Sequence, residues 1–380
     1  MFLSPLIGQL KGYNGVNSRI KPKPNGNDEI GRGQRFFISA DCWLCVFELL
    51  TPSQLGFEIA MISHRFDFYV DEHFKTRKRT LKFIQIRSKI GENGTNGMEI
   101  VEHYDGKALP IPQVQLPRKF IGFKHIHISF IDRNAIAFLF HFRQFFASGL
   151  INLAINTHKD RIAGFLLRNI WPMFGKNLHG MGLSGTFFRH LRQFVGTSIL
   201  NDFPSLRFVS LYTVNLFGEF PCDDNAAASD GQAVTKWLFT PLQNDVPKML
   251  KCWVNDEGNW MSRIEAIKAA FTYASSPVNF IVVIYIGMPF ADSVVLFNLT
   301  NELTREQLAL KRSDDYDEYF LLIRRPIVRT ESKWAKWEEE AIGWRFYEPS
   351  NQWNQIFIQI INEDEIGDEL LDATLGPSDH

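Results

Sequence analysis

Two cysteines, Cys42 and Cys45, have the spacing Cys-x-x-Cys, which occurs in thiol redox pairs and in half of many zinc sites. A thioredoxin-like redox pair needs a helix that follows a strand, and a structural zinc site needs a second pair of ligands. The remaining cysteines, Cys222 and Cys252, are far from this pair and from each other in sequence. The sequence therefore predicts structural or incidental thiols and no bound metal.

His125 and His127 are a second pair to consider as metal ligands, because alternation along a strand places both side chains on one face. Ile126 and Ile128 then point to the opposite face and into the core. A zinc site would need at least a third protein ligand, and the sequence offers none at ligand spacing. We expect the two histidines to face solvent.

The glycine-rich run from Gly180 to Gly185 is of the kind that can approach a phosphate. It lacks the Lys-Ser or Lys-Thr pair of a P-loop and the spacing of the dinucleotide motif. Ser184 has Thr186, not glycine, two places after it, so it does not fit the nucleophile elbow of hydrolases. No catalytic constellation is assembled, and we expect a protein with no enzyme activity and no cofactor.

The composition favours an intracellular globular protein. Of 380 residues, 45% are hydrophobic and 34 are phenylalanine, which allows a large core. The formal net charge of -1 gives no overall attraction to nucleic acid or to an anionic membrane. The sequence has no apolar run long enough for a membrane helix, and its first residues make a poor signal peptide. We expect a cytoplasmic or nuclear protein with no membrane or nucleic-acid partner.

Four segments differ in pattern along the chain. Residues 1–35 are rich in Gly, Pro, Asn and charge and are predicted to be a disordered leader. Residues 36–75 have helical apolar spacing and form the predicted helical module. Residues 76–361 alternate strand-like and helix-like patterns, and residues 362–380 are an acidic tail that is predicted to be disordered.

The long segment 76–361 repeats a unit of one strand and one helix. Its strand-like runs recur at intervals of roughly 25 to 40 residues. Connections of this length contain a crossover helix and join parallel strands, because hairpins use only a few residues. The runs lie at residues 81–86, 124–130, 151–155, 178–183, 206–211, 249–254, 278–285 and 319–323.

Three helix-like segments in this region share the order apolar, arginine, amide, apolar, apolar, and they lie at residues 142–146, 167–171 and 191–195. Their spacing of about 25 residues is typical of a stacked solenoid. Residues 203–211 resemble the strand entry of a leucine-rich repeat, although the expected asparagine is out of register at Asn215. We predict an α/β fold with a divergent leucine-rich-repeat-like solenoid of parallel strands, and an open doubly wound sheet is the alternative.

The helical module begins with Ser39, a good N-cap residue. The apolar residues that follow it fall on one helical face: Trp43, Val46, Phe47 and Leu50. Pro52 ends this helix, because proline disfavours the α conformation at the preceding residue. A second helix follows the break, with an apolar face formed by Leu55, Ile59 and Ile62.

The order of these residues resembles an F-box, whose pattern is Leu-Pro-x-Glu-x-Leu-x-x-Ile-Phe-x-Phe-Leu, a short break, then Leu and Val-Ser-x-x-Phe. Ile38 matches the first Leu, Val46-Phe47 matches the Ile-Phe pair, and Ile62-Ser63 with Phe66 matches the closing part. Ser39 departs from the family pattern, which usually has Pro at this point. Taken with the α/β segment behind it, the chain resembles the large F-box families that are expanded in nematodes.

This resemblance implies a non-catalytic adaptor of a Skp–cullin–F-box ubiquitin ligase. The box would bind the Skp adaptor and, through it, a cullin ligase, while the C-terminal domain would select a protein target. The residues expected at the Skp contact are Ile38, Trp43, Val46, Phe47, Leu50, Leu55 and Ile62. The alternative is a scaffold whose N-terminal helices only cap the repeat domain, which burial of Trp43, Phe47 and Leu50 against the later domain would favour.

A target is expected to bind on loops at the carboxyl ends of the strands, where open α/β sheets bind their ligands. The longest such loop, residues 213–230, combines aromatic and acidic side chains, and loops of this length in compact domains are often functional. Its candidate target-binding residues are Phe217, Phe220, Asp223 and Asp224. An insertion without a binding role is the alternative.

Overall fold

The computed structural model describes most of the chain between Ile38 and Leu370. The described residues are 38–47, 50, 55, 59–76, 79–90, 96–102, 106, 108–109, 120–148, 150–211, 217–254, 257–287, 290–314, 318–345, 354–367 and 370. The predicted leader, and residues 371–380 of the predicted tail, lie outside this part of the chain.

Helices and strands alternate through most of the described residues. The α-helices are α1 (Ala40–Phe47), α2 (His64–Thr76), α3 (Arg133–Ser148), α4 (Asp160–Asn169), α5 (Gly185–Phe194), α6 (Asp230–Phe239), α7 (Glu257–Thr272) and α8 (Glu331–Gly343). The strands are β1 (Arg79–Ile90), β2 (Asn96–Glu102), β3 (Ala108–Leu109), β4 (Phe120–Ile128), β5 (Ile151–Asn156), β6 (Leu178–Leu183), β7 (Phe208–Leu211), β8 (Lys248–Val254), β9 (Phe280–Ile286), β10 (Phe297–Asn301), β11 (Glu306–Arg312), β12 (Tyr319–Pro326) and β13 (Gln355–Gln359).

The thirteen strands of the described residues form one open sheet with the order β10-β11-β12-β9-β8-β7-β6-β5-β13-β4-β1-β2-β3. The strands from β9 to β1 in this order are parallel, and antiparallel strands extend the sheet at both ends. The predicted α/β class, with parallel strands alternating with helices, is confirmed. The C-terminal strand β13 lies between β4 and β5 in the sheet. In a simple solenoid, repeats that follow one another in sequence are also neighbours in space, so no such inserted strand is expected. The leucine-rich-repeat detail stays a prediction.

The two faces of the sheet are covered by different helices, because successive side chains of a strand point to opposite sides. On β8, Leu250 lies in the larger hydrophobic core with Trp237 of α6, on the side where α3 to α7 pack. Its neighbour Met249 lies in a second, smaller core on the other side with Trp334 of α8 and Trp344. Within the described residues, α8 therefore packs on the face opposite the crossover helices.

Serine residues at the ends of strands or loops start two of the crossover helices. The hydroxyl of Ser184, directly after β6, accepts a hydrogen bond from the amide of Phe187 in α5 (3.3 Å). Ser229 forms a reciprocal capping box with Gln232 at the start of α6. Each such N-cap typically stabilises a helix by about 1 kcal/mol. These caps fix where the helices leave the sheet.

Two predictions are wrong, and β13 and the chain after it explain both. His125 is buried because β13 lies beside β4 and places Gln355 against it, with 3.0 Å between His125 Nδ1 and Gln355 Oε1. The tail is ordered over residues 362–367, where Ile366 is buried and forms a β-bridge with Ile131. The predicted core positions Ile126 and Ile128 are confirmed as fully buried.

None of the helices in the described ranges combines the length and the apolar character that a membrane crossing requires.

Candidate functional site

The N-terminal helical module starts where its sequence predicts. The hydroxyl of Ser39 accepts a hydrogen bond from the amide of Cys42 (3.4 Å), and the carbonyl of Ser39 accepts one from the amide of Trp43 (3.3 Å). Helix α1 ends at Phe47, whose carbonyl accepts from the amide of Leu50. Helix α2 then packs against α1. The described part of the module is therefore built on a packed pair of helices.

An inner set of residues holds α1 and α2 together. The rings of Trp43 and Phe66 meet edge to face with centroids 4.8 Å apart, and those of Phe47 and His73 do so at 5.8 Å. Edge-to-face pairs of this kind add about 1 kcal/mol to the stabilisation that burial gives. Among the residues expected at the Skp contact, Phe47, Leu50 and Leu55 are buried in this inner set.

An outer set of residues remains accessible on α1. Ile38 is 43% exposed, Cys42 and Cys45 are exposed, and Val46 is partly exposed. We call these four residues the outer face of α1. They are uncharged, and Ile38 lies just before the helix that carries the other three, so together they offer a small apolar surface. Of the remaining residues expected at the Skp contact, Trp43 of the inner set and Ile62 are half-buried.

The inner set is continuous with the core of the α/β domain. Phe47, Leu50 and Leu55 belong to the same hydrophobic cluster as Ile84 of β1 and Ile126 of β4. A module that stood apart from the domain would have a core of its own. The helices therefore share a core with the sheet, as a capping element would, while α1 keeps an accessible outer face.

The loop expected to bind a target packs part of its aromatic content inward. Phe217 is fully buried, and its carbonyl accepts a hydrogen bond from Arg263 Nη1 of α7 (2.9 Å). The ring of Phe220 packs edge to face on Phe239 of α6, with centroids 5.6 Å apart. Burial leaves Phe217 no surface with which to contact a target. Residues 213–216 of this loop lie outside the described residues.

The acidic residues of the same loop hold its own backbone and a neighbouring turn. Asp223 accepts hydrogen bonds from the amide and the side chain of Asn225. Asp224 accepts one from Nδ2 of Asn201 (2.9 Å), on the segment that follows α5. Both side chains are half-buried. They shape the loop, and they leave only part of each carboxylate accessible.

A groove of about 490 Å³ lies between the C-terminal half of α5 and the end of this loop. Buried Arg192 forms one wall. Its guanidinium is held in place because it donates to Asp230 Oδ1 (2.7 Å) and to the backbone carbonyls of residues 197, 225 and 228. Arg189, 61% exposed, stands at the same groove and is 3.9 Å from Asp230. The two arginines and one aspartate leave the groove with a net positive charge.

Sequence reasoning missed this groove, although it did single out the loop that forms half of it. The lining residues are Arg189, Arg192, Gln193, Thr197, Ala226, Ala228, Ser229 and Asp230. Arg192 belongs to one of the three repeated arginine-containing segments, so the repeat was visible while its role as a groove wall was not. A buried arginine that fixes four partners is recognisable only when the fold has brought those partners together.

The glycine-rich run is part of the packed sheet. A side chain at Gly180 would collide with the Trp344 ring and with Asn152 Oδ1, each 2.6 Å from the position of a Cβ atom. The hydroxyl of Ser184 is buried and donates to the carbonyl of Thr157 (2.5 Å). These residues serve close packing and helix capping. Within the described ranges, no three or more His, Cys, Asp or Glu side chains are grouped so that they could hold a metal ion.

No family model, no curated protein and no solved structure matches this chain.

Proposed function

We propose that this protein is a non-catalytic adaptor that binds a Skp adaptor through its N-terminal helices and a protein target through its α/β domain. In this role it would bring the target to a cullin ubiquitin ligase. Its contribution is proximity, since holding a target lysine near the ubiquitin-loaded conjugating enzyme raises the effective concentration of one reactant at the other.

The accessible, uncharged outer face of α1 carries the docking half of the proposal. Ile38 and Val46 project from it, while Phe47, Leu50 and Leu55 anchor the helices from inside. An interface needs both parts: a rigid support and a few apolar side chains that lose their water on binding. The inner residues would then affect docking only through the stability of the module.

Binding of purified Skp adaptor to the full chain tests this half. Ile38→Glu and Val46→Glu would each place a charge at the centre of the contact and should weaken the Kd by at least ~10-fold. Leu303→Glu is the matched control, because Leu303 is a highly exposed apolar residue on the β10–β11 turn. Wild-type protein that does not bind, or Ile38 and Val46 variants that bind as tightly as the control, would contradict the proposal.

The net positive groove at Arg189 and Arg192 supports the target-binding half. Its size suits one or two side chains of an extended peptide, and the exposed guanidinium of Arg189 suits a carboxylate. Arg189→Glu should reduce the capture of targets in proximity labelling and leave adaptor binding intact. Arg305→Glu, at an exposed arginine on the distant β10–β11 turn, is the control. An unchanged labelling profile for Arg189→Glu would remove the groove from the proposal.

The shared hydrophobic core favours a second candidate, a scaffold whose N-terminal helices only cap the α/β domain. In that case Phe47→Ala would lower the melting temperature of the whole chain, and no Skp adaptor would bind to the wild type. In the adaptor proposal the same substitution lowers stability too, but wild-type binding is present. Wild-type binding therefore distinguishes the two candidates.

A further inference from the structure

The cysteines of this chain fall into two chemically different pairs. Cys42 and Cys45 are exposed on the outer face of α1, whereas Cys252 is buried in the sheet and Cys222 is half-buried. Burial raises the pKa of the Cys222 thiol to about 11, and burial also raises the pKa of Cys252. Because the thiolate is the reactive form, these two thiols are poor nucleophiles at neutral pH. Only the pair on α1 is open to solution chemistry among the described cysteines.

The two exposed thiols are neighbours in space as well as in sequence. Residues three apart on a helix have Cβ atoms about 5–6 Å from each other, and a disulfide needs about 3.5–4.5 Å. A shift of roughly 1–2 Å closes this difference. The pair lies near the start of α1, where the first amides lack helical acceptors and the backbone can adjust.

Ser39 gives the two sulfurs different roles. Its hydroxyl donates a hydrogen bond to Cys42 Sγ (3.2 Å), while the Cys42 amide lies 3.4 Å from the same hydroxyl oxygen. This contact orients the Cys42 sulfur. We therefore assign the first attack to Cys42, and the resolving attack to Cys45, one turn further along the helix.

We propose that Cys42 and Cys45 form a reversible dithiol–disulfide site that exchanges with a small-molecule disulfide such as oxidised glutathione. The Cys42 thiolate attacks one glutathione sulfur, the glutathione S–S bond breaks, and one glutathione thiolate leaves. Cys45 then attacks Cys42 Sγ of the mixed disulfide and releases the second glutathione. The two cysteines lose two protons and two electrons, and the glutathione disulfide takes up both to give two thiols.

Closing this disulfide changes the surface that the proposed function assigns to the Skp adaptor, so its effect on docking rests on that function. The new bond draws Cys42 towards Cys45 and distorts the helical turn between them, which lies between Ile38 and Val46. A disulfide that distorts its helix is readily reduced. The pair would therefore switch the outer face between a regular and a distorted form.

Intact-mass analysis of the full-length protein after treatment with oxidised glutathione tests the site itself. Wild type should lose two hydrogen atoms and keep no glutathione, and its titre of thiols under denaturing conditions should fall from four to two. Cys45→Ser should keep one glutathione on Cys42, because the resolving thiol is missing. Cys222→Ser should form the disulfide as wild type does. Wild type that stays fully reduced, or that keeps glutathione on both Cys42 and Cys45, would overturn the proposal.

Adaptor binding then separates this inference from the proposed function. Oxidised wild type should bind the Skp adaptor at least ~5-fold more weakly than reduced wild type, with recovery after dithiothreitol and no change in Cys42→Ser. Equal binding by both forms would overturn the link to docking. If neither form binds while the mass loss is observed, the proposed function fails and the dithiol site stands.

Discussion

Lys248, the first residue of β8, is a buried cation, only 3% exposed. Its ammonium donates to the carbonyl of Trp237 (2.5 Å) and lies 4.9 Å from the ring of that residue. Burial lowers the pKa of Lys248 from its ordinary value of 10.5 to about 7. Burying the charged form of this lysine costs free energy, so replacing the residue should change the stability of the protein measurably.

The first prediction is that Lys248→Met stabilises the protein near neutral pH. Between about pH 7 and 10.5 the unfolded chain holds a proton that the folded chain has released, so wild-type stability rises with pH through this window. Below pH 7 both states are protonated and the full cost of burial remains. The variant should be more stable by on the order of 2–4 kcal/mol at pH 6–7, with the difference shrinking towards pH 10.

Urea denaturation across this pH range measures the effect. Lys236→Met is the control, because Lys236 is an exposed residue of α6 and its replacement should leave the pH dependence unchanged. Parallel stability curves for wild type and Lys248→Met would show that the burial of Lys248 has no such consequence.

Arg324 and Glu306 form an ion pair in which both side chains are only 1% exposed. Arg324 donates to Glu306 Oε2 (2.7 Å) and to the carbonyl of Ser276, and Glu306 Oε1 accepts from the amide of Val278. The pair therefore joins β11 and β12 to the segment before β9. Removing one partner would leave the other as a buried, unpaired charge.

The second prediction follows from that network. Glu306→Gln should lower the free energy of unfolding by about 3–5 kcal/mol. Glu302→Gln should change it by less than ~1 kcal/mol, because Glu302 pairs with Arg305 at the surface, with 79% exposure on each side. Combining Glu306→Leu with Arg324→Met should recover part of the loss. If the double variant lost as much stability as Glu306→Leu and Arg324→Met lose separately when added together, the two residues would not be coupled.

At the scale of the element, α8 shows how one helix is held against a face of the sheet. Glu338 accepts from Lys311 Nζ (2.5 Å) and Arg325 Nη1 (3.0 Å) at one side, and Glu340 pairs with Arg207 at the other. Beyond the helix, the ring of Trp344 stacks on Phe208 with centroids 3.5 Å apart. The helix is therefore held across β7, β11 and β12 by charges at its edges and an aromatic stack at its end.

The third prediction concerns the space beneath Trp344. Gly180→Ala should destabilise the protein by about 1–3 kcal/mol, because the added methyl group has to displace the Trp344 ring or Asn152 from close contact. Gly175→Ala is the control, since nothing lies within 4 Å of its Cβ position. Thermal unfolding compares the two variants, and cleavage of α8 by protease should become faster only in Gly180→Ala. Equal melting temperatures would contradict this packing.

The elements that sequence predicted well are those with strong local patterns. Residues 178–183 were predicted as a strand and form β6 with the same bounds. The repeated arginine segments fall within α3 and at the C-terminal ends of α4 and α5. The hairpin strands β10 and β11 and the C-terminal strand β13 were missed. Strand β13 is short and its partners β4 and β5 lie some 200 residues earlier in the chain, so local periodicity carries no information about the pairing.

At the scale of the whole molecule, the same long-range pairing determined which candidate residues the sequence placed correctly in the core or at the surface. His125 looked like a solvent-facing residue until β13 supplied Gln355 beside it. The split of the N-terminal residues into an inner and an outer set likewise depends on how α1 meets α2 and the shared core. The sequence predicted which residues are apolar and where helices start, whereas the tertiary neighbours determined which of them stay accessible.

The last prediction is that β13 is required for the fold of the entire chain. It lies inside the parallel part of the sheet and pairs with β4 on one side and β5 on the other. Ending the chain after Arg345 would remove this strand and divide the sheet between β4 and β5. The two parts of the sheet would then have unpaired strand edges, which favour aggregation. Ending it after Leu370 would keep β13 and the buried Ile366 and serves as the control.

The shorter protein should be recovered mostly as aggregate, whereas the control should be soluble and unfold in one cooperative transition near the wild-type temperature. Size-exclusion chromatography and thermal unfolding measure both properties. Because β13 pairs with β4 and β5, which lie some 200 residues earlier in the chain, it imposes slow, non-local pairing on folding. A soluble, cooperatively folded protein that ends at Arg345 would show that β4 and β5 can close the gap between them without the C-terminal strand.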